Sequence, residues 1–350
     1  MPRRIPSNAL ALLVASTAGV ALASGCGGPA RGRDVAGDRR ARTADTASTT
    51  GAYAVVPEPP RVPDRASAKG ERPRVIAKAS ARALAVDADR IYYGDSEDDG
   101  VYSIAKAGGE PLRIARHAPV SGALALEGGF ITWIASPGDA VLRAPIAGGV
   151  QPTTLRDRGI FSDVAAVGEE VFIAEAIAAG GAILRVTGAT ASRLAAFDGA
   201  PRAVMADKTH AFVVTSTKIV RTPHHRGEVE TIASGTRFSH AEIDEAYVYV
   251  VAEVEKGRAV VRVPKAGGAV AIIVRDVRDA PIEVEGGEVF FFDAVRPQLR
   301  SVPVRGGDSR VVAEDEGFLT VSALEADASN VYVAQGVHET GLIVAVARGR

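Results

Sequence analysis

From about residue 74 onward, the chain alternates short runs of apolar, β-branched and aromatic residues with turn-forming residues. The first unit has such runs at Ala83–Val86, Ile91–Tyr93, Val101–Ile104 and Leu112–Ala115. Runs of this length, separated by Gly, Pro, Asp or Asn, are typical of β-strands. The pattern therefore predicts an all-β domain built from units of four short strands.

The unit recurs seven times. A glycine falls every 39 or 40 residues, at Gly108, Gly148, Gly188, Gly227, Gly267 and Gly306. An acid ends the first strand in six units, at Asp87, Glu127, Asp207, Asp244, Glu285 and Asp327. An aromatic residue marks the second strand at Tyr92, Phe172, Phe212, Tyr249, Phe290 and Tyr332. Four strands per period of about 40 residues predict the blades of a β-propeller.

Both recurring residues have structural interpretations. The acid falls in a hairpin turn, where a carboxylate can accept backbone N–H groups, and we expect the aromatic residue to pack between neighbouring blades. The last unit supplies three strands, and Arg74–Lys78 can provide the missing outer strand. Pairing these ends closes the ring and covers two strand edges. This arrangement predicts seven blades, or six if the divergent third or fourth unit is not a full blade.

The first 25 residues predict an export signal. Arg3 and Arg4 precede an apolar stretch, Ala9–Ala23, that is too short to span a membrane comfortably. The stretch leads into Leu22–Cys26 (Leu-Ala-Ser-Gly-Cys), which resembles a lipobox, whose cysteine is acylated. We therefore predict a lipoprotein signal peptide over residues 1–25 and a lipid anchor on Cys26. The alternative is an ordinary secretory signal with an incidental cysteine.

Composition completes the domain prediction. Residues 26–71 are rich in small and polar residues without apolar periodicity, which predicts a disordered tether to a propeller over residues 72–350. Gly27 is not acidic, which favours the outer membrane over the inner, facing the periplasm or the cell surface. The 41 basic and 42 acidic residues give no electrostatic footprint for nucleic acid. Because Cys26 is the only cysteine, the folded domain has no disulfide or thiol nucleophile.

The repeats resemble those of bacterial TolB-like and related propeller lipoproteins. In the first unit, Ile91–Asp95 (Ile-Tyr-Tyr-Gly-Asp) is similar to the Tyr-Trp-Thr-Asp blades of the low-density-lipoprotein receptor family. The full tetrapeptide never appears, and Trp133 is the only tryptophan. The resemblance covers about residues 74–350 and implies a propeller fold. Because these families mostly bind proteins, it also implies a binding role. We expect a monomer without a cofactor.

The candidate binding site lies where the inner strands begin. Alignment of the repeats places small residues there, with polar exceptions at Arg82, Asp163, Arg202 and His240. Both arginines are suited to an anionic group or an acidic peptide. The simpler interpretation is polar side chains solvated at a channel entrance. We predict a binding or scaffold protein whose partner in the envelope is a protein or a glycan.

Two other functions stay open. Asp95, Glu97 and Asp99 could hold calcium in a sensor, although their spacing does not match an EF-hand loop and an acidic solvated turn is the simpler interpretation. The chain lacks the nucleophile-elbow, phosphate-loop and zinc-helix motifs of common enzymes. A lyase or hydrolase on envelope polymers could still use His240 with Asp163. Convergence of these two residues and an arginine in a deep pocket would favour the enzyme.

Overall fold

The computed structural model describes residues 72–116, 119–135, 137, 139–225 and 227–349. The predicted signal peptide, Cys26 and the tether lie outside the described residues. The described part contains 28 β-strands and two short 3-10 helices, Glu316–Leu319 and His338–Thr340. Among these elements, no helix is both long and apolar enough to cross a membrane.

The strands form seven antiparallel sheets of four, in chain order except at the ring closure. Strand β1 (Arg74–Lys78) precedes the first complete blade. Blade 1 contains β2 (Ala81–Val86), β3 (Arg90–Asp95), β4 (Gly100–Ala105) and β5 (Leu112–Ala115). Blade 2 contains β6 (Val120–Glu127), β7 (Phe130–Ala135), β8 (Ala140–Pro145) and β9 (Thr153–Asp157). Blade 3 contains β10 (Phe161–Val167), β11 (Glu170–Ile177), β12 (Gly180–Thr187) and β13 (Thr190–Phe197).

The remaining blades follow the same order. Blade 4 contains β14 (Pro201–Ala206), β15 (His210–Thr215), β16 (Lys218–Pro223) and β17 (Glu230–Ser234). Blade 5 contains β18 (Thr236–Ile243), β19 (Tyr247–Glu253), β20 (Arg258–Pro264) and β21 (Ala271–Arg275). Blade 6 contains β22 (Glu283–Glu285), β23 (Glu288–Phe292), β24 (Gln298–Pro303) and β25 (Arg310–Glu314). Blade 7 contains β26 (Val321–Ala326), β27 (Asn330–Gln335) and β28 (Leu342–Ala347).

The ring closes as the sequence predicts. Strand β1 pairs antiparallel with β28, which makes it the outer strand of blade 7. The first strand of each blade contacts the first strands of the two neighbouring blades, and β26 contacts β2. The predictions of an all-β fold and of a propeller with seven blades are confirmed, and the six-bladed alternative is wrong.

The core lies between the blades. Seven clusters of buried apolar side chains each join one blade to the next. In one of them, Tyr92 of blade 1 packs with Ile131 and Trp133 of blade 2. In another, Phe290 of blade 6 packs with Val331 of blade 7. The predicted packing of the recurring aromatic residue is therefore confirmed, and burial of this surface stabilises the ring.

The recurring acid organises its hairpin turn. Asp244 Oδ1 accepts the backbone N–H groups of Ala246 at 2.8 Å and Tyr247 at 2.7 Å. Its second oxygen accepts the hydroxyl of Tyr249 at 2.5 Å. The same three bonds occur in the first and last blades, at Asp87 and Asp327. The structure confirms the predicted turn role for these aspartates and adds the tyrosine as a partner, whereas Glu127 instead accepts the N–H of Gly168 in blade 3.

Basic side chains join neighbouring blades at these turns. Where Phe212 replaces the tyrosine, Lys265 of blade 5 lies 3.0 Å from Asp207 Oδ2 of blade 4. In blade 3 the turn acid is missing, and His224 of blade 4 instead places Nδ1 3.2 Å from Glu170. His224 is buried, because its ring packs on Phe172. It therefore joins two blades.

Candidate functional site

Bulges shape the start of the inner strands. In six of the seven blades, the register between the first and second strands shifts at the N-terminal end of the first strand. A β-bulge bends its strand and changes the direction of a side chain, and bulges are frequent at rims and beside binding sites. Arg202 is the extra residue between Pro201 and Ala203, and His240 is the extra residue between Ser239 and Ala241.

The four predicted residues share one cavity. Arg82, Asp163, Arg202 and His240 all line a cavity of about 500 Å³ where the inner strands begin, which we call the channel mouth. Small residues fill most of the remaining wall, among them Gly122, Ser162, Ser239, Pro281, Ser322 and Ala323. The structure therefore brings the four side chains together. Their predicted role in binding stays a prediction.

The two arginines enter the channel mouth from opposite sides. Arg82 belongs to blade 1 and Arg202 to blade 4, and both side chains are exposed. Within the described part of the chain, neither guanidinium has a hydrogen-bond or ion-pair partner. Each therefore keeps all its donors available for a carboxylate or a phosphate, which arginine binds with paired N–H groups.

Asp163 holds two blades together. Its Oδ1 accepts the N–H of Val164 at 2.9 Å, and its Oδ2 accepts the N–H of Val204 in blade 4 at 2.7 Å. Burial raises the pKa of this carboxyl to about 7, although the two backbone hydrogen bonds act in the opposite direction. Both oxygens are thus engaged by the backbone, and Asp163 contributes to the shape of the channel mouth.

His240 faces Asp279. Its Nε2 lies 3.7 Å from Asp279 Oδ1, and the same carboxylate accepts Ser239 Oγ at 2.6 Å and lies 3.1 Å from Arg258. Burial lowers the pKa of His240, with Arg202 and Arg258 adding to the effect and Asp279 opposing it. The backbone φ of His240 is 35°, in a region that costs energy for a residue other than glycine. Asp279 is therefore the carboxylate that faces His240, while Asp163, which the enzyme hypothesis combines with it, lines the same cavity.

Three glutamates inside the ring were missed by the sequence analysis. Glu242, Glu283 and Glu325 lie directly opposite Tyr249, Phe290 and Tyr332 across the first strand pair of blades 5, 6 and 7. We call them the glutamate triad. The same position in blades 1 to 4 holds Ala85, Ala125, Ala165 and Met205. The repeat alignment contains this pattern, because each glutamate lies two residues after the position that His240 occupies in its own unit.

The glutamate triad lies in confined space. Each side chain is partly buried, and Glu242 and Glu325 also line the channel mouth. Burial raises the pKa of Glu325 to about 8. Burial raises the pKa of Glu242 well above its usual range, with the charges of Glu325 and Asp163 adding to the effect. The pKa of Glu283 is also raised well above its usual range, first by burial and then by the charges of Glu242 and Glu325.

A hydrogen bond within the loop and an ion pair to blade 7 organise the acidic loop of blade 1. Asp95 accepts the N–H of Glu97, and Glu97 lies 3.1 Å from Nδ1 of His338 in blade 7. Asp99 is exposed and has a φ of 52°. Among the described residues, no group of three His, Cys, Asp or Glu side chains is arranged to hold a metal ion. The calcium hypothesis therefore gains no support from the arrangement of this loop.

Comparison with known proteins defines the class. No family model matches the sequence, and no curated protein matches it either. A streptogramin B lyase structure is similar with a TM-score of 0.64 and 10% identity, covering 78% of this chain and 96% of that one. Hydrazine synthase of Kuenenia stuttgartiensis gives a TM-score of 0.63 and 14% identity, covering 78% and 96%. The WD40 propeller domain of Doa1 is similar with a TM-score of 0.60 and 11% identity, covering 79% of this chain and 98% of that one.

These similarities establish the fold alone. These differently named proteins share the propeller architecture at very low identity, and a fold of this kind hosts many functions. The chain is a seven-bladed β-propeller. The narrower resemblance to TolB-like and Tyr-Trp-Thr-Asp propellers stays a prediction.

Proposed function

We propose that this chain is a membrane-anchored lipoprotein of the cell envelope whose propeller binds a protein partner at the channel mouth. The observation that carries the proposal is the pair Arg82 and Arg202, two arginines without a partner among the described residues in one cavity. Their guanidinium groups would bind a carboxylate or another anionic group of the partner. A partner that covers the cavity would displace water from it, so charge-assisted hydrogen bonds there would be stronger than at an open surface.

A protein fits the surrounding surface better than a glycan. The loops that join an outer strand to the next blade, and a second strand to the third, lie on the same face as the channel mouth. Exposed aliphatic side chains occur in these loops at Ile160, Val295, Leu319 and Val337. Apolar side chains beside a charged cavity are a common arrangement at protein interfaces, where an apolar area is combined with a few specific polar contacts.

The membrane anchor rests on the sequence. Cys26 follows an apolar signal and small residues that resemble a lipobox, and residues 27–71 have the composition of a flexible tether. Such a tether would let the face of the propeller that carries the channel mouth, the mouth face, reach partners in the periplasm or at the cell surface. The outer membrane is the proposed site of attachment, because no acidic residue follows Cys26.

A crosslinking pull-down from intact cells tests the proposed binding. It compares the wild type with R82A/R202A and with a matched control, R156A/R193A, which removes two exposed arginines from outer strands. We expect one partner to be lost in R82A/R202A and retained in the control. Identical partner lists for all three proteins would contradict binding at the channel mouth.

An enzyme is the second candidate, because His240 and Asp279 face each other in the same cavity as the two arginines. The name of the streptogramin B lyase shows that one protein of this fold is a lyase. A neutral histidine beside a carboxylate can act as a general base. Envelope polymers incubated with wild type and with H240N provide the test, and turnover by wild type alone would favour the enzyme.

A further inference from the structure

Two members of the glutamate triad share the channel mouth with the two arginines. Glu242 and Glu325 line the channel mouth together with Arg82 and Arg202, and Glu283 lies between their strands on blade 6. The three glutamates come from adjacent inner strands at equivalent positions, so they face the channel at the same level. Blades 1 to 4 contribute no acid at this level, so the negative charge is concentrated on one side.

Other charged groups line the channel mouth or lie near the triad. They are Arg82 on β2, Asp163 on β10, Arg202 on β14, His240 on β18, Asp279 before β22 and Glu285 on β22. The second strands of blades 5 and 6 carry Glu253, which pairs with Arg237, and Glu288, which pairs with Arg310 and Arg348. Strand β6 contributes Gly122, Ala123 and Leu124 to the cavity wall and no charge. The arginines are thus the only positive side chains of the described residues that line the cavity beside the acids, apart from His240 when protonated.

The charges of Glu242 and Glu325 raise the pKa of Glu283, so the three carboxyl groups resist being ionised together and the triad retains protons near neutral pH. An anion at Arg82 and Arg202 adds negative charge to the cavity that Glu242 and Glu325 line, and so favours the protonated form of these two carboxyl groups further. Ionisation of the triad has the opposite effect, because it adds negative charge where the anion binds. By linkage, the two equilibria must affect each other equally.

We propose that the channel mouth binds its anionic group together with protons, which the glutamate triad takes up as the ligand enters and releases as it leaves. This inference rests on the proposed function, because it requires an anion at Arg82 and Arg202. The pKa of Glu325, raised by burial to about 8, places the transition in a range that an envelope compartment can reach. Binding is therefore strong at mildly acidic pH and weakens as the pH rises.

Sulfate is a suitable probe, because it keeps its charge across the relevant pH range. Its dissociation constant is measured on the full chain at pH 6.0 and pH 8.5, with chloride at equal ionic strength as the reference. One coupled proton changes the constant by up to about tenfold per pH unit, so we expect wild type to bind sulfate at least ~5-fold more weakly at pH 8.5.

Three variants separate the possible outcomes. E242Q/E283Q/E325Q should show a much weaker pH dependence than wild type, because glutamine cannot ionise and only Asp163, with its pKa of about 7, still titrates in the cavity over this range. The matched control E110Q/E169Q/E245Q replaces exposed glutamates and should behave as wild type. R82A/R202A should bind no sulfate at either pH. If the triple variant fails to fold, E325Q alone should show a reduced pH dependence.

The outcomes distinguish this inference from the proposed function. Equal sulfate affinity of wild type at both pH values, or an unchanged pH dependence in E242Q/E283Q/E325Q, would overturn proton coupling alone. Sulfate binding that survives in R82A/R202A, or no sulfate binding by wild type at either pH, would overturn the arginine site and the coupling with it.

Discussion

Lys106 Nζ lies 2.6 Å from Asp327 Oδ2, across the junction between blade 1 and blade 7. The two residues are 221 positions apart in the chain, so this ion pair joins the two ends of the ring. Asp327 also accepts two backbone N–H groups and the hydroxyl of Tyr332. Together these contacts lower the pKa of Asp327 to about 2, although burial acts in the opposite direction.

This ion pair should make stability depend on pH below 5. A carboxyl whose pKa is lower in the folded protein than in the unfolded chain stabilises the folded protein at pH values above its unfolded pKa. This stabilisation is lost as the pH falls towards 2. K106A should lower the free energy of unfolding by about 1 kcal/mol at pH 7 and reduce the loss between pH 5 and 2. Urea titrations at several pH values measure both effects. An unchanged pH profile in K106A would contradict the contribution of Lys106.

Strand β1 should be essential for the closed ring. Deletion of residues 72–79 removes the partner of β28 and exposes an unpaired strand edge in blade 7. We expect a melting temperature lowered by several degrees, together with aggregation, because the junction between the first and last blades loosens. Deletion of residues 62–69, which lie outside the described residues, is the length-matched control. Equal melting temperatures for the two deletions would argue against this closure.

Ionisation of Asp163 should make the folded protein less stable as the pH rises. Its pKa is raised by burial to about 7, so the folded protein binds a proton more tightly than the unfolded chain does. The stabilisation from this proton is complete below about pH 4 and is lost as the pH rises through 7. D163N should remove this dependence, and D163A should cost about 1–3 kcal/mol because the N–H of Val204 loses its acceptor. The same pH profile in D163N and wild type would rule out Asp163 as its source.

Cys26 should determine where the protein fractionates. C26A removes the residue predicted to carry the lipid, so the protein should move from the membrane to the soluble fraction. The fractions are compared by immunoblot after a high-salt wash, which removes proteins held only by charge. Continued membrane association of C26A would count against the lipid anchor.

Much of the fold could be predicted because its signals repeat. A turn acid such as Asp244 and an aromatic residue such as Tyr249 mark the same positions in most blades, and the apolar runs give the strands directly. The pairing of β1 with β28 followed from the count of strands in the last unit. These features depend on local sequence, which periodicity makes visible.

The site was predicted only in part. The start of each inner strand could be located, so Arg82, Asp163, Arg202 and His240 were placed in one region. The bulges that orient them depend on strand pairing, and the bond from Val204 to Asp163 depends on contact between two blades. The pairing of His240 with Asp279 required the same three-dimensional information. The glutamate triad is visible in the alignment, because Glu242, Glu283 and Glu325 occupy the same position in three units, but the burial of these side chains depends on the assembled ring.

The central claim is that a partner binds at the channel mouth through Arg82 and Arg202. Its most direct test is photo-crosslinking in intact cells, with the crosslinking amino acid placed at Val337 on the mouth face or at Val75 on the outer strand of the same blade. The two positions are similarly exposed, at 58% and 52%. We predict a discrete adduct from Val337 that is absent from Val75 and lost when R82A/R202A is added. An adduct from Val337 that persists in R82A/R202A, or one that forms equally from Val75, would contradict the account.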